Sequence, residues 1–220
     1  MNRIPWTRRI AAVASLDDTN RRLLFSFVAS APEAVGRDEA AAALELPRST
    51  VSFQLDRLVQ DGLLTVEFKK LGSKAGPGSG RPAKCYRTAV EEVAASIPDR
   101  NYDLAGELMV SAIEKSMSGG GSVHEALVSA AYAKGRSIAA AGVPFQEVLS
   151  GSGYRPEPDG GGGLVLRNCP FHRLADGHAD VVCAMNGAFL AGAAAGCGVP
   201  EDRVEGIRAD GQCCARIRPY

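Results

Sequence analysis

The sequence lacks the residue patterns of the common enzyme classes and of exported or membrane proteins. It has no Ser/His/Asp set, no carboxylates paired at telling spacing and no glycine motif of the kind that holds nucleotide phosphates. The first residues are basic but contain no apolar run of signal-peptide length, and no later stretch approaches the uninterrupted apolar length of a membrane span. We therefore expect a cytoplasmic protein that is not an enzyme and does not enter a membrane.

Six cysteines stand in the 220 residues, of which 45% are hydrophobic and 23% charged. A composition of this kind is typical of a chain with one or two compact domains. Cysteines in the cytoplasm stay reduced, so they act as metal ligands, reactive groups or small core residues before they form disulfides. The cysteines therefore favour thiolate chemistry.

Charge is unevenly distributed along the chain. Residues 1–90 carry 14 basic and 9 acidic side chains, whereas residues 91–220 carry 11 basic and 16 acidic ones. Such an asymmetry indicates that one half meets a polyanion and the other does not. It favours a nucleic-acid partner for the N-terminal half.

The first domain, residues 1–90, is predicted to contain three helices. Capping side chains at residues 17–19 precede apolar residues at helical spacing, which predicts a helix that ends near Pro32. A second helix is predicted from Gly36 through the Ala-rich segment, and Pro47 starts a third that ends at Gly62.

Two short strands are predicted to follow these helices. Leu63–Phe68 and Ala83–Thr88 alternate apolar and polar residues across a segment rich in Gly, Ser and Lys, which predicts a hairpin. Three helices followed by a two-stranded hairpin is the plan of a winged helix-turn-helix.

The rest of the chain is predicted as two further parts. Residues 91–143 form a helical connector that dimerises the protein, with helices at Tyr102–Met117 and Val123–Ala141. Residues 144–220 form a small α+β domain that contains five of the six cysteines, with a helix at Ala179–Ala195. Its short strands are predicted at 153–156, 164–167, 204–208 and 213–217. The predicted fold class is α+β.

Polar and basic residues of the first domain form a candidate DNA-binding surface. The third helix exposes short polar side chains that suit a major groove, and basic residues surround the glycine-rich hairpin loop, where they suit the phosphate backbone. Phe53 lies off the apolar face, so it either packs against the hairpin or contacts a thymine methyl group, and we expect packing. The alternative is that these are solvated charges used in protein contacts. The predicted DNA-contacting residues are Arg48, Ser49, Thr50, Ser52, Gln54, Arg57, Lys69, Lys70, Lys74, Arg81 and Lys84.

The C-terminal cysteines form a candidate metal site. Soft thiolates that converge from a loop, a helix and a strand suit zinc, copper(I) or an iron-sulfur cluster, and exclude calcium and magnesium. Adjacent strand residues face opposite sides, so only one of Cys213 and Cys214 is expected to face the same site as the others. The fourth ligand stays open. Its candidates are Cys214, Cys197, His172 and His178.

Two stretches of sequence resemble the ArsR-type and SufR-like bacterial winged-helix regulators. The first is LPRSTVSFQLDRLVQDGLL at 46–64 with the wing GPGSGRPAKCYR at 76–87; the second consists of NCPFH at 168–172, VCAMN at 182–186 and GQCC at 211–214. The SufR-like branch represses genes for iron-sulfur cluster assembly, acts as a homodimer and holds a cluster on C-terminal cysteines. The resemblance implies Cys169, Cys183 and Cys213 as ligands, whereas Cys85 and Cys197 stand outside the pattern and are expected to be small buried residues.

The sequence thus predicts a DNA-binding transcriptional repressor whose binding to a double-stranded operator is controlled by a C-terminal iron-sulfur cluster, with zinc as the alternative metal. A second hypothesis is a winged-helix regulator whose C-terminal pocket senses a small organic ligand, with structural cysteines.

Overall fold

The computed structural model describes residues 4–69, 82–139, 142–206 and 215–220. These residues form two compact units, Ile4–Ala95 and Ser96–Tyr220. The observed boundary lies about five residues after the predicted one at residue 90. The segment predicted as a connector, residues 91–143, contributes its helices to the same hydrophobic core as residues 144–220.

The N-terminal unit combines helices with a small antiparallel sheet. The strand order is β1-β3-β2, and both pairings are antiparallel. The two strands predicted as a hairpin pair antiparallel, with Leu64 opposite Thr88 and Lys69 opposite Ala83; the first strand lies one residue later than predicted. The described elements are α1 (Trp6–Ser15), α2 (Thr19–Ser30), β1 (Val35–Gly36), α3 (Arg37–Leu44), α4 (Arg48–Gln60), β2 (Leu64–Lys69) and β3 (Ala83–Thr88).

Local sequence explains the helix ends of this unit. The carboxylate of Asp18 accepts a hydrogen bond from the backbone N–H of Arg21 at 2.9 Å, which caps α2 where the sequence predicts a cap. α3 and α4 are separated by three residues, and Glu45 takes the left-handed conformation at φ 53° that ends α3. Helix α1 was not predicted, because no side chain caps it and only Pro5 marks its start.

The C-terminal unit places its helices against a four-stranded antiparallel sheet of order β4-β5-β7-β6. Helices α5 and α9 start where the sequence predicts them, whereas the short α7 was not predicted. The strand predicted at 153–156 is observed at Pro156–Pro158, and the strand predicted at 204–208 starts at Val204 as predicted; residues 207–214 lie outside the described residues. The described elements are α5 (Tyr102–Met117), α6 (Val123–Ile138), α7 (Phe145–Gly151), β4 (Pro156–Pro158), β5 (Leu164–Leu166), α8 (His172–Ala175), α9 (Ala179–Gly196), a 3-10 turn (Glu201–Arg203), β6 (Val204–Gly206) and β7 (Ala215–Ile217).

Helices α6 and α9 make the most intimate contact of this unit. A Cβ atom placed on Gly192 would lie 2.1 Å from the carbonyl oxygen of Tyr132, and one placed on Gly135 would lie 2.1 Å from the carbonyl oxygen of Phe189. The backbones of the two helices therefore touch, since only glycine leaves room for such an approach. The sheet and the other helices pack around this pair in one core.

Helix α9 is also long and apolar enough to cross a membrane by length and composition, with a mean hydropathy of 1.3 over its 18 residues. The prediction that no stretch approaches this length is therefore wrong for α9. Its apolar residues are used in packing, because Met185, Phe189 and Leu190 are fully buried in the core of the unit.

The described chain thus mixes helices with two small antiparallel sheets, which agrees with the predicted α+β class.

We predict that Gly192→Ala destabilises the C-terminal unit by about 1–3 kcal/mol, because the added methyl group forces α6 and α9 apart. Gly187→Ala on the same helix is the control. Its Cβ meets nothing within 4 Å, so it should be neutral or stabilise by up to about 1 kcal/mol through helix propensity. Urea unfolding followed by far-UV circular dichroism measures both, and equal midpoints for the two variants would contradict the close contact.

Candidate nucleic-acid interface and thiolate site

The exposed face of α4 is the centre of the candidate nucleic-acid interface. Val51, Leu55 and Leu58 are fully buried, as the sequence predicts. Ser49 and Phe53 therefore lie on the opposite side of the helix. Phe53 is 69% exposed, so the prediction that it packs against the hairpin is wrong.

The other polar residues predicted to contact DNA from α4 are less accessible to a partner. The hydroxyl of Ser52 accepts a hydrogen bond from Arg37 Nη1 at 3.0 Å, and Thr50 is half-buried. The side-chain oxygen of Gln54 is buried and has no hydrogen-bond partner within the described ranges. Gln54 borders the core because it lies three residues after Val51 and four before Leu58, both of which are buried. The ring of Phe53 lies on the exposed face of the helix.

Each described basic residue of the predicted surface pairs with a carboxylate. Arg48 lies 2.5 Å from Asp38, Arg57 lies 3.2 Å from Asp61 and Lys69 lies 2.5 Å from Glu33; Lys84 pairs with Asp56. Lys70, Lys74 and Arg81 lie outside the described residues. The Arg48–Asp38 and Lys69–Glu33 pairs are largely exposed, and exposed pairs contribute only about 0–1 kcal/mol, so these two cations can exchange a carboxylate for a phosphate at little cost. Asp61 is only 12% exposed and also accepts a hydrogen bond from Ser15 Oγ at 2.7 Å, so Arg57 pairs with a carboxylate that is held within the unit.

Asp56 joins α4 to the hairpin. Its carboxylate accepts hydrogen bonds from Lys84 Nζ and, at 2.7 Å, from the hydroxyl of the fully buried Tyr86. Burial raises the pKa of Asp56, but the hydrogen bonds from Lys84 and Tyr86 outweigh burial, so the pKa lies below its ordinary value of 3.8. Burial and the neighbouring carboxylate raise the pKa of Tyr86 above its ordinary value. Lys84 therefore has a structural partner inside the unit.

The charge asymmetry becomes smaller at the observed unit boundary. The acidic residues Glu91 and Glu92 fall inside the N-terminal unit, so Ile4–Ala95 carries 13 basic and 11 acidic side chains. Attraction of a polyanion therefore depends on where the cations of α4 and β2 lie and not on the net charge of the unit.

Two of the four predicted metal ligands lie in the described residues. Cys169 follows β5 in a loop that leads into α8, is half-buried and packs against the core of the C-terminal unit. Cys183 lies in the second turn of α9 and is also half-buried. Cys213 and Cys214 lie outside the described residues.

Sheet pairing and helix packing relate the elements that flank Cys169 and Cys183. Strands β5 and β7 pair antiparallel, with Leu164 opposite Ile217 and Val165 opposite Arg216. The end of β5 that leads to Cys169 therefore lies beside the start of β7, the strand that follows the GQCC segment in sequence. Helix α8, directly after Cys169, packs against α9, the helix that carries Cys183.

A chain of hydrogen bonds also connects the surroundings of Cys169 and Cys183. The side-chain amide of Asn168 donates to the carbonyl of Gly153 at 2.7 Å, and the hydroxyl of the next residue, Tyr154, donates to Asn186 at 2.5 Å. Asn186 lies three residues after Cys183, which places both on one side of α9. The surroundings of both thiols are therefore tied to one polar network.

The remaining thiols and imidazoles are placed differently. Cys197 caps the C-terminal end of α9, 14 residues after Cys183, which corresponds to about 21 Å at 1.5 Å per residue. It cannot share a mononuclear site or a small cluster with Cys183, and burial raises the pKa of its thiol. Cys85 is buried in the N-terminal unit. His172 and His178 are exposed near the ends of α8.

No group of three or more His, Cys, Asp or Glu residues with metal-site geometry occurs within residues 4–69, 82–139, 142–206 and 215–220. The two described thiols, Cys169 and Cys183, are ligands of the kind that soft metal ions prefer, and Cys213 and Cys214 lie outside the described residues.

A surface groove bears on the hypothesis of an organic ligand. It runs along α6 beside Ala188, has a volume of about 640 Å³ and is lined by residues that include Val128 and Tyr132. The groove is wide open to solvent, whereas small-molecule sites enclose most of the ligand surface. It is a poor match for such a sensor pocket.

No protein-family model, no curated protein and no solved structure matched the chain.

We predict that the N-terminal unit loses stability in acid through Asp56. Because the folded pKa of Asp56 is lowered, its contribution is present at neutral pH and is lost as the pH falls below about 4. Asp56→Asn should lower the free energy of unfolding by about 1–2 kcal/mol at pH 7 and by less at pH 3.

Fluorescence of Trp6, the single tryptophan, reports urea unfolding of this unit. Asp38→Asn, which removes the carboxylate from an exposed pair with Arg48, is the control and should change stability little. The same destabilisation by Asp56→Asn at pH 3 and pH 7 would refute the titration of Asp56.

Proposed function

We propose that the chain is a DNA-binding transcriptional regulator whose N-terminal unit is a winged helix-turn-helix. The observation that carries the proposal is the exposed start of α4, where Arg48, Ser49 and Phe53 stand out from a helix with a fully buried opposite face. Helix α4 corresponds to the recognition helix and the β2–β3 hairpin to the wing.

The connection between α3 and α4 supports this assignment. The two helices are separated by three residues, and both pack against other elements of the N-terminal unit. A short turn between two helices, the second of which exposes its N-terminal end, is the arrangement that places side chains in a major groove.

Phe53 supports a role in contacts with a partner. Its ring is 69% exposed, and Phe68 on β2 is 70% exposed. Large exposed aromatic side chains beside polar and basic residues are typical of binding surfaces. In the proposed complex the ring of Phe53 contacts a thymine methyl group, the alternative that its exposure leaves open, while Arg48, Ser49 and Arg57 contact phosphate or base edges.

The C-terminal unit is proposed to hold an iron-sulfur cluster or a zinc ion on Cys169, Cys183 and Cys213, with Cys214 or a histidine as fourth ligand. Support comes from the two described thiols, which are half-buried; Cys169 lies just before α8, and α8 packs against α9, the helix that carries Cys183. A bound cluster would link the segments that carry Cys169, Cys183 and Cys213, and oxidation of the cluster would break this link. Its presence favours one conformation of the regulator by its differential affinity, and its loss then changes DNA affinity.

A homodimer is part of the proposal, because winged-helix repressors read two half-sites with two copies of the recognition helix. Helix α5 offers an unpartnered face within the described chain. Val110, Ile113 and Met117 are 56%, 47% and 83% exposed, on the side opposite the buried Leu108 and Ala112. We assign this face to a second copy of the chain.

The proposal also holds that the protein represses its target genes, lies in the cytoplasm and is not an enzyme. Its partner is a double-stranded DNA operator. The regulator with an organic ligand remains the second candidate, although the open groove on α6 favours it little.

We predict that Arg48→Ala weakens binding to a fluorescein-labelled 30-base-pair duplex of random sequence. If Arg48 contacts one phosphate, the slope of log K against log[KCl] should fall by about 0.9. Arg8→Ala is the control, because it removes the same charge from an exposed residue of α1. Fluorescence anisotropy measures both; equal losses in both variants, or no binding at low salt, would refute the interface.

We predict that the protein, purified without oxygen, is brown and contains iron and sulfide in equal amounts. Cys169→Ser and Cys183→Ser should remove the colour and the metal, whereas Cys197→Ser, at the far end of α9, should keep both. Visible absorption with iron, sulfide and zinc analysis measures this. A colourless protein with stoichiometric zinc would select the alternative metal, and a protein without metal would overturn the thiolate site.

A further inference from the structure

The loop that carries Cys169 is held by side chains from another part of the C-terminal unit. Arg100, just before α5, donates from Nη1 to the side-chain oxygen of Asn168 and, at 2.9 Å, to the carbonyl of Cys169 itself. The backbone N–H of Asn101 donates to the carbonyl of Pro170 at 3.1 Å. Three consecutive residues of the loop, 168–170, are thus bound from one side.

The side chain of Asn168 also donates hydrogen bonds to two backbone carbonyls. Its Nδ2 donates to the carbonyl of Asp99 at 2.6 Å and to that of Gly153 at 2.7 Å, while its oxygen accepts from Arg100. Both donor hydrogens and the acceptor are therefore used. Asn168 is only 8% exposed, and a buried amide with all its hydrogen bonds satisfied fixes the backbone that carries it.

Asn101 extends this network to a third segment. Its Nδ2 donates to the carbonyl of Ser152 at 3.2 Å, and its side-chain oxygen caps α5 by accepting from Leu104 N at 3.4 Å. We call Arg100, Asn101 and Asn168 the Cys169 clasp. The clasp ties the cysteine loop to the start of α5 and to the segment after α7.

Cys169 lies between the buried residues Asn168 and Pro170, and the clasp supplies the hydrogen bonds of this buried part of the loop. The neighbouring Arg167 shows the contrast, because its side chain pairs with Glu157 at 3.3 Å on the exposed side of the sheet. The clasp bonds the backbone of the one residue of this loop that carries a thiol. Residues that orient a metal ligand through hydrogen bonds to its neighbours commonly set metal affinity.

We infer that Arg100 and Asn168 are positioning residues that place Cys169 for metal binding before any metal arrives. This inference rests on the proposed thiolate site. Because the loop is ordered in advance, the metal does not have to immobilise it, and the clasp contributes to affinity by lowering that cost.

Two variants disrupt the clasp, one at Arg100 and one at Asn168. Arg100→Ala removes the donor to Asn168 and Cys169, and Asn168→Asp keeps the shape but turns an acceptor toward the carbonyls of Asp99 and Gly153. Arg167→Ala, one residue before the clasp, is the matched control. Circular dichroism of each metal-free variant verifies the fold. Arg100→Lys keeps the charge and should change Co²⁺ affinity and Cys169 alkylation in the same direction, by a smaller amount. It tests the inference if the first two variants do not fold.

The first measurement is titration of the reduced, metal-free full chain with Co²⁺, followed by the thiolate-to-cobalt absorption band. Arg100→Ala and Asn168→Asp should weaken Co²⁺ binding by about 10- to 100-fold, and Arg167→Ala should leave it unchanged. Equal affinities for wild type and the clasp variants would overturn the inference.

The second measurement does not depend on a metal. Alkylation of the metal-free protein by iodoacetamide, followed by mass spectrometry, gives the rate at Cys169 relative to that at Cys197, which lies at the far end of α9. Breaking the clasp should raise this ratio severalfold, and Arg167→Ala should not. If wild type fails to bind Co²⁺ while the ratio rises, the proposed metal site fails but the positioning of Cys169 holds. An unchanged ratio in both clasp variants would refute the positioning role.

Discussion

The direct contact between the backbones of α6 and α9 is the constraint on which the C-terminal unit depends. Gly135 and Gly192 leave no side chain between the two helices, so α9 is held along its length and its remaining faces receive the sheet and α7. A helix fixed in this way gives Cys183 a defined place near its start. The polar network from Asn186 through Tyr154 to Asn168 then connects this place with the loop of Cys169.

In the N-terminal unit, a single carboxylate holds a helix and the hairpin together. Asp56 lies on α4 and receives Lys84 and Tyr86 from β3, which fixes the hairpin against the helix. Ser49 and Phe53, on the exposed side of the first turns of α4, take no part in this contact, and the ring of Phe53 is 69% exposed. In the proposed complex this side of the helix contacts DNA. In the proposed function, the hairpin and the exposed helix α4 bind DNA, and the ordered region around Cys169 and Cys183 controls the DNA affinity.

Most regular elements could be predicted because their signals are local. Capping at Asp18, the proline before α4 and the helical spacing in α5 each act within a few residues of sequence. Helix α1 lacks a side-chain cap, and α7 has only seven residues, so neither gives a strong periodic signal. Strand β4 contains Pro156 and Pro158, which propensity disfavours; it exists because it lies at the edge of its sheet, where a missing N–H is tolerated.

The sequence by itself determined most of the helices, the β2–β3 hairpin and the buried face of α4, because these follow from residue types and from spacing along one chain; the candidate ligands came from the family resemblance. Only the tertiary structure decided which side chains are available for contacts. It exposed Phe53, buried the oxygen of Gln54 and bound Lys84 to Asp56. It also joined Arg100 to Asn168 across 68 residues. Such pairings depend on how elements pack, and no local pattern in the sequence encodes them.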